Sequence, residues 1–181
     1  MKSTGVGGVQ RGFDGGMKVR GSTRQILVDT EGLLVEASIH SAKVPDQDGI
    51  RRLLEPVCSR LKRLSYLWAD AGYRGRGKDW AEEALGVEVE VVNRSPKPPP
   101  EKVLRIWERE WSKEGVNMDP VKLPRRPAFE KLPRRWVAER TFAWISHHRR
   151  MAKDYERLPE TGEALMYAVM SRLMARRLAR A

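Results

Sequence analysis

The most informative stretch of this sequence reads Ser65-Tyr66-Leu67-Trp68-Ala69-Asp70-Ala71-Gly72-Tyr73. Its apolar first part predicts a short buried strand over residues 65–69, which ends at Asp70 and Gly72. Folds of the α/β class tend to place ligand-binding or metal-binding acids at the C-terminal tip of such a strand. Magnesium prefers oxygen donors of this kind and keeps several of its waters. The alternative interpretation is that Asp70 only forms the turn or caps the next helix.

The segments on either side of this stretch predict alternating strands and helices. Their predicted bounds are 25–28 and 33–39 for the strands of a β-hairpin, 46–63 for a helix, 78–85 for a helix closed by Gly86, and 87–92 for a strand. Asp46 is the expected N-cap of the first helix, and Pro56 its kink or break. This order of elements predicts a mixed α/β domain.

The two ends of the domain are predicted from glycine and proline content. Residues 1–21 hold seven of the 15 glycines, so an irregular, glycine-rich lead-in is expected there. Residues 22–181 are expected to form the domain itself. A proline-rich insertion at about residues 94–130 interrupts it and carries an amphipathic helix over residues 101–113.

A second informative stretch runs from Arg134 to Trp144 and opens a helix predicted over residues 136–151. Arg135 and Glu139 are four residues apart, so they share one helix face and can form an ion pair. Such a surface pair contributes only about a few tenths of a kcal/mol to the stability of the fold. The functional alternative is that Glu139 binds a metal on a basic, aromatic-rich helix whose arginines bind phosphate through their planar guanidinium groups.

The positive charge of the chain is concentrated in its second half. The formal net charge is +11, with 35 basic and 24 acidic residues. Residues 1–93 carry 14 basic and 13 acidic side chains, and residues 94–181 carry 21 and 11. This asymmetry points either to a polyanion such as nucleic acid or to a solvated surface. A closing helix over residues 160–179 adds four arginines to the basic region: Arg172, Arg176, Arg177 and Arg180.

Cysteine content and hydropathy exclude several protein classes. The single cysteine, Cys58, excludes a disulfide framework and a cysteine zinc cluster. No run of residues approaches the roughly 18 apolar residues that a membrane span needs. A soluble protein of a reducing compartment is therefore expected, without a membrane partner.

Taken together, these stretches resemble the DDE transposases of bacterial insertion sequences, of the four/five type. The matching segments follow in the family's order over nearly the whole chain: Gly12–Gly21, Ile26–Leu34, Asp46–Gly49, Trp68–Tyr73, Leu132–Trp144 and Lys153–Arg157. The resemblance implies a ribonuclease-H-like mixed sheet flanked by helices. The opening strand of that fold is expected to be missing, because Met1 falls after its position.

The resemblance also implies a catalytic triad of two aspartates and one glutamate that binds two divalent metal ions, Mg²⁺ or Mn²⁺. Asp70 takes the place of the second aspartate and Glu139 that of the glutamate. Arg135 matches the arginine of the family's Tyr-Arg-Glu-Lys signature. The tyrosine and lysine of that signature are replaced by Leu132 and Ser146, which puts the finer phosphate-binding geometry in question.

The first catalytic aspartate of the family lies upstream of a segment like Lys2–Gly8, so this aspartate and the N-terminal DNA-binding region are expected to be absent. Asp14 and Asp29 are poor replacements, because one falls in a glycine-rich loop and the other in a predicted hairpin turn. In two-metal catalysis the ions lie about 4 Å apart, and the family's first aspartate bridges them. The isolated chain is therefore expected to cleave DNA poorly or not at all.

The function implied by the resemblance is DNA transposition, by metal-dependent cleavage and transfer of DNA strands at the ends of an insertion sequence. The alternatives are a catalytically dead DNA-binding remnant or regulatory fragment, and the downstream half of a frameshifted transposase. The implied partners are double-stranded DNA, as terminal inverted repeats and target, and a second copy in a synaptic complex. The implied location is the bacterial cytoplasm, at the nucleoid. Five arginines are the expected phosphate contacts: Arg134, Arg135, Arg140, Arg149 and Arg150.

Overall fold

The computed structural model describes residues 11–15, 18–92, 101–113 and 135–180. The chain divides into two compact units, one of residues Met1–Val92 with Pro133–Ala181 and one of residues Asn93–Leu132. In the second unit the described residues form the helix α3 (Glu101–Lys113). The amphipathic helix predicted over residues 101–113 is therefore confirmed.

The first sheet of the larger unit has three antiparallel strands, β1 (Gly12–Asp14), β2 (Val19–Val28) and β3 (Leu34–Ser41), in that order. β2 and β3 form the predicted hairpin, in which Ile26 lies opposite Ala37. Alternating β-prone residues on both sides of a short turn are sufficient to specify this local pairing.

The irregular lead-in expected over residues 1–21 is wrong for Gly12–Asp14 and for residues 19–21, which are paired strands. A Cβ atom on Gly12 would lie 2.3 Å from Ser41 Oγ and 2.5 Å from Lys43 N. Glycine is needed here because two segments of backbone approach closely. Glycine content alone does not distinguish this use from an unstructured segment.

The second sheet is a parallel pair, β4 (Tyr66–Asp70) and β5 (Glu88–Val92). Parallel strands need a crossover connection, and α2 (Arg76–Leu85) provides it. α2 ends at Gly86, whose φ of +64° is the left-handed conformation that favours glycine at a helix end. The predicted closure of this helix by Gly86 is confirmed.

The described strands form these two sheets, and among the described residues no strand of one sheet pairs with a strand of the other. The two sheets nevertheless share a core. Leu27 of β2 and Leu67 of β4 pack against the same buried cluster, which includes Leu54 and Val89. The architecture is of the mixed α/β class and is compatible with a ribonuclease-H-like fold.

Three helices complete the larger unit. α1 (Asp46–Cys58) packs on β2, β3 and α2. Its N-cap is Pro45, not Asp46 as predicted, and Pro45 has the extended backbone angles of that position. α4 (Arg135–Ser146) and α5 (Pro159–Leu178) follow near the end of the chain. Among the described residues, none of the helices combines the length and the apolar character that a bilayer crossing requires.

Side chains of α5 cover the outer edge of β3. The Ala37 N–H donates a hydrogen bond to Tyr167 Oη at 3.1 Å, and the Ile39 N–H donates to Glu163 Oε1 at 2.7 Å. Unpaired backbone donors at a sheet edge are costly when buried and can pair with other chains. These two contacts therefore both stabilise the fold and protect the edge of the sheet.

Glu163 makes the stability of this contact depend on pH. Burial raises the pKa of Glu163 above its ordinary value of 4.5, and the charges of Glu160 and Glu36 raise it further, whereas the Ile39 N–H and Arg52 lower it. The folded state thus holds the proton more tightly than the unfolded chain. The contribution of Glu163 to stability is largest below pH 4.5 and is lost as the pH rises through the folded-state pKa.

We expect Glu163→Gln to flatten this decline, because glutamine keeps an acceptor for Ile39 and cannot ionise. The measurement is the free energy of unfolding in urea at a series of pH values from about 4 to 7, the range in which a carboxyl group with a raised pKa titrates. Glu83→Gln, which removes an exposed charge from α2 and does not act on the pKa of Glu163, is the matched control. An equal change of slope in both variants would show that burial of Glu163 is not the cause.

Candidate functional site

Asp70 is the last residue of β4, at the C-terminal end of the parallel pair, and its side chain is exposed. Its Oδ1 accepts a hydrogen bond from Ala71 N at 2.7 Å and so caps a single 3₁₀ turn over Ala71–Tyr73. The turn-forming role given above as the alternative is confirmed. A role as metal ligand remains a prediction.

Asp46 lies beside the turn that follows Asp70, a position that its sequence context did not predict. A Cβ atom on Gly72 would lie 2.6 Å from Asp46 Oδ2, so the turn approaches this carboxylate only because residue 72 is glycine. Burial raises the pKa of Tyr73, and the charges of Asp46 and Asp70 raise it further. In the sequence, the only indication that Asp46 lies near the site is its place in the segment Asp46–Gly49. That segment also has the pattern of an ordinary helix start.

Buried polar side chains support Asp46 from the sheet. Gln25 of β2 is 2% exposed, and its Nε2 donates to the backbone oxygen of Asp46 at 3.2 Å and to Oδ1 at 3.4 Å. His40 of β3 is also buried, and a Cβ atom on Gly49 would lie 2.6 Å from His40 Nε2. The N-terminus of α1 is therefore held against the sheet by polar contacts as well as by its apolar face.

Glu139 lies in the first half of α4, and its side chain is exposed. α4 contacts both β2 and β4, so the helix that carries Glu139 touches the strand that ends in Asp70. Arg135 is the first residue of α4, but its side chain and the whole of Arg134 lie outside the described part of the chain. The Arg135–Glu139 ion pair and the phosphate contacts of both arginines remain predictions.

Arg140 has contacts inside the protein. Its Cζ lies 4.3 Å from the ring centroid of Trp136 and 4.8 Å from that of Trp144. Its Nη2 donates a hydrogen bond to the backbone oxygen of Glu31 at 2.8 Å. Stacking on aromatic rings stabilises a guanidinium most when it is shielded from water. These contacts give Arg140 a structural role that the basic pattern did not predict, and the predicted phosphate contact remains untested.

Asp14 and Asp29, the two aspartates weighed against the family's first catalytic aspartate, occupy different settings. Asp29 Oδ1 accepts hydrogen bonds from Glu31 N at 2.9 Å and Leu33 N at 2.8 Å, so it shapes the β2–β3 turn. Asp14 lies on β1, not in a loop as expected. For Asp29 the turn contacts are a sufficient structural explanation.

Asp70 and Glu139 are carboxylates, the type of side chain that binds divalent metal ions. Mg²⁺ and Mn²⁺ are bound through oxygen donors, and Asp70 and Glu139 offer such donors on two elements that contact each other. Within the described residues, no three or more His, Cys, Asp and Glu side chains are grouped so that they could hold a metal ion. A complete two-metal site therefore needs donors beyond these two side chains.

The basic surface lies in the last part of the chain. Arg149 and Arg150 are exposed in a 3₁₀ turn after α4, and Arg150 Nη2 lies 2.8 Å from Glu156 Oε1. The Arg150 side chain is exposed whereas that of Glu156 is largely buried, so the guanidinium is open to a phosphate while it is paired with the carboxylate. Three more exposed arginines lie on α5 or just after it: Arg172, Arg176 and Arg180.

Comparison with protein families yields one match over nearly the full length. The model of a family described as Transposase DDE domain matches residues 2–174. The matched range contains α1 to α4, both sheets, and all but the last turn of α5. No curated protein and no solved structure matches the chain.

Proposed function

Because this chain belongs to the family of transposases with a DDE domain, we propose that it cuts and joins DNA strands at the ends of an insertion sequence, with divalent metal ions. The observation that carries the proposal is the contact between α4 and β4. It brings together the two elements that bear the acids singled out in the sequence, Asp70 and Glu139. The action would take place on DNA in the bacterial cytoplasm.

The chemistry divides between a metal and the protein. When bound, Mg²⁺ or Mn²⁺ activates the attacking oxygen and stabilises the leaving oxygen of an in-line displacement at phosphorus. Asp70 and Glu139 supply carboxylate oxygens to hold it. Both side chains are exposed, so a DNA backbone can reach them.

Binding of the substrate is the task of the basic second half. Terminal inverted repeats and target DNA present a regular array of phosphates, and exposed arginines such as Arg149 and Arg172 can contact them. Two copies of the chain on two element ends would form the synaptic complex. Base-specific recognition of the ends requires contacts in the grooves in addition to phosphate contacts.

A second candidate function is DNA binding without cleavage, as expected of a remnant or of a regulatory fragment that competes for element ends. The observation in its favour is the lack of a group of three metal-binding side chains among the described residues. Two carboxylates without a third charged donor would hold metal weakly. This candidate keeps the same DNA surface and differs only in the chemistry.

One experiment separates the two candidates. The purified chain is incubated with a plasmid that carries the gene for this chain and the native DNA on both sides of the gene. Separate reactions contain Mn²⁺, Mg²⁺ or a chelator. We expect the chain to bind the plasmid and to nick it slowly, and only when a metal is present. The slowness follows from the small number of carboxylates that the described residues bring to the site.

The other outcomes also decide between the candidates. Binding without any nicking would favour the second candidate. Nicking that persists in the chelator would contradict metal-dependent cleavage by Asp70 and Glu139. Failure to bind DNA would contradict both candidates.

A further inference from the structure

The loop of residues 147–158 joins α4 to α5 and carries the two exposed arginines of the 3₁₀ turn described above. Arg24 of β2 holds the backbone of this connecting loop. Its Nη1 donates a hydrogen bond to the Met151 oxygen at 2.7 Å, and its Nη2 donates to the Lys153 oxygen at 3.3 Å. The side chain of Met151 is buried in an apolar cluster with residues of β3 and α5. Polar and apolar contacts therefore both fix the loop to the sheet.

Asp154 forms a second anchor of the connecting loop. Its buried Oδ2 accepts a hydrogen bond from Ser22 Oγ at 3.0 Å and lies 3.4 Å from Arg11 Nε. Arg11 Nη2 also donates to the backbone oxygen of Asp154 at 3.0 Å. Separating the partners of a buried ion pair is strongly unfavourable, because it leaves an uncompensated charge in the interior. The loop therefore has one preferred position on the sheet.

Glu156, two residues after Asp154, connects this buried network to the surface. The side chain of Glu156 is 12% exposed, whereas that of Arg150 is 66% exposed. A single carboxylate oxygen, Glu156 Oε1, accepts hydrogen bonds from Arg150 Nε at 3.2 Å and from Arg150 Nη2 at 2.8 Å. Two bonds to one acceptor hold both the place and the plane of the guanidinium. Because a guanidinium has five N–H donors, others are left for a second acceptor at the surface.

Arg24 lies close enough to Glu156 for their charges to interact. Burial lowers the pKa of Arg24, and the negative charges of Asp154 and Glu156 counteract this effect. The three side chains line one small cavity beside the start of α5. An ion pair between two exposed, flexible side chains orients neither of them well. In this pair the carboxylate is held by its surroundings, so it can orient the arginine.

We propose that Glu156 is a positioning residue, which holds the Arg150 guanidinium ready for a phosphate of the DNA backbone. The proposal rests on the proposed function, in which exposed arginines contact DNA phosphates. Arginine binds phosphate through the planar fork of its N–H groups, so its orientation matters as well as its charge. A long side chain that is ordered before binding also loses less conformational entropy when the DNA binds.

The proposal and simple electrostatics predict opposite effects of removing Glu156. A negative charge beside a DNA-binding arginine repels phosphate, so charge alone predicts tighter DNA binding by Glu156→Ala. The loss of a positioning contact predicts weaker binding. The sign of the change therefore decides between the two explanations.

The test measures the affinity of the full chain for a short fluorescein-labelled DNA duplex, by fluorescence anisotropy at several salt concentrations. Arg150→Ala is expected to lower the affinity by about 8-fold at about 0.1 M salt, since one phosphate contact contributes about −0.9 to the salt slope. Glu156→Ala is expected to lower it by about 2- to 8-fold, toward the value of Arg150→Ala. Glu156→Gln keeps the acceptor oxygen and should bind at least as well as the unchanged chain.

A double variant tests whether Glu156 acts through Arg150. Residues that act through one another have effects that do not add. Adding Glu156→Ala to Arg150→Ala should therefore cause no further loss of affinity. A further loss in the double variant would show a general structural effect and would overturn the proposal.

Controls separate positioning from stability. Glu160→Ala removes an exposed acid four residues further along the chain and should not weaken DNA binding. Thermal melting of each variant reports its stability. An equal loss of affinity in Glu160→Ala and Glu156→Ala would contradict the positioning role.

Two exposed substitutions keep the test decisive if Glu156→Ala does not fold. Arg150→Lys and Arg149→Lys both keep a positive charge and remove the planar fork, at side chains that are exposed. Glu156 binds the fork of Arg150, so Arg150→Lys should weaken DNA binding more than Arg149→Lys does. An equal or smaller effect of Arg150→Lys would overturn the proposal.

The result for Arg150→Ala separates this proposal from the proposed function. If Arg150→Ala weakens DNA binding and Glu156→Ala does not, the positioning role is wrong and the DNA surface stands. If Arg150→Ala has no effect, the positioning role is wrong because Arg150 does not contact phosphate, although the chain binds DNA. If the unchanged chain binds no DNA, the proposed function fails and the positioning role fails with it.

Discussion

Replacing Asp70 by asparagine or Glu139 by glutamine is expected to reduce metal-dependent DNA nicking by more than about 100-fold, since even the loss of a group that only orients a ligand costs about 10- to 100-fold. Asparagine and glutamine keep the size of the side chain and remove its charge, which Mg²⁺ and Mn²⁺ need in a ligand. Both side chains are exposed, so neither change should disturb the core.

DNA affinity is the internal reference for this prediction. Nicking of the plasmid with native flanking DNA is followed on gels, and DNA binding is followed by fluorescence anisotropy on the same preparations. Glu83→Gln neutralises an exposed acid on α2 and serves as the matched control. The assignment of the site would be wrong if either Asp70→Asn or Glu139→Gln nicked DNA as fast as the unchanged chain.

The triple variant Arg172→Ala, Arg176→Ala and Arg180→Ala is expected to lower DNA affinity by about 500-fold at about 0.1 M salt. Each phosphate contact contributes about −0.9 to the slope of log affinity against log salt concentration. Losing three contacts should therefore make this slope less steep by about 2.7. The three side chains are exposed, so their removal should leave the melting temperature nearly unchanged.

A matched variant and a neighbouring arginine make this prediction specific. Lys62→Ala with Arg63→Ala removes two exposed positive charges from the nearly neutral first half of the chain, and should change the slope little. Arg177 Cζ lies 4.7 Å from the ring of Trp144, so Arg177→Ala, unlike the triple variant, should lower the melting temperature. Equal slopes for the triple variant and the unchanged chain would exclude α5 from the DNA surface.

For the candidate site, the sequence indicated which elements carry the two predicted acids, and their metal binding stays a prediction. Asp70 was expected at the tip of a strand, and it is the last residue of β4. The sequence predicts Asp46 only as a helix cap, because nothing within its own segment indicates that Gly72 of a distant turn lies against its carboxylate. The sequence predicts a phosphate contact for Arg140 and not its position beside two tryptophan rings, since that position depends on how α4 folds against the sheet.

The sequence by itself determined the elements whose causes lie within a few neighbouring residues. The β2–β3 hairpin follows from two β-prone runs around an Asp- and Gly-containing turn, and α2 ends at the glycine that the pattern indicated. Side-chain periodicity and turn chemistry act over such short distances, so they can be read without knowledge of the rest of the chain.

Only the tertiary structure decided which distant segments meet. In the structure, glycines of the expected lead-in belong to a strand pair, and the strands form two sheets. Thr141 connects α4 to the β2–β3 turn through a hydrogen bond. Each of these contacts depends on the path of the backbone between segments that are far apart in sequence. Local residue preferences carry no information about that path, because it is selected by the packing of the whole core.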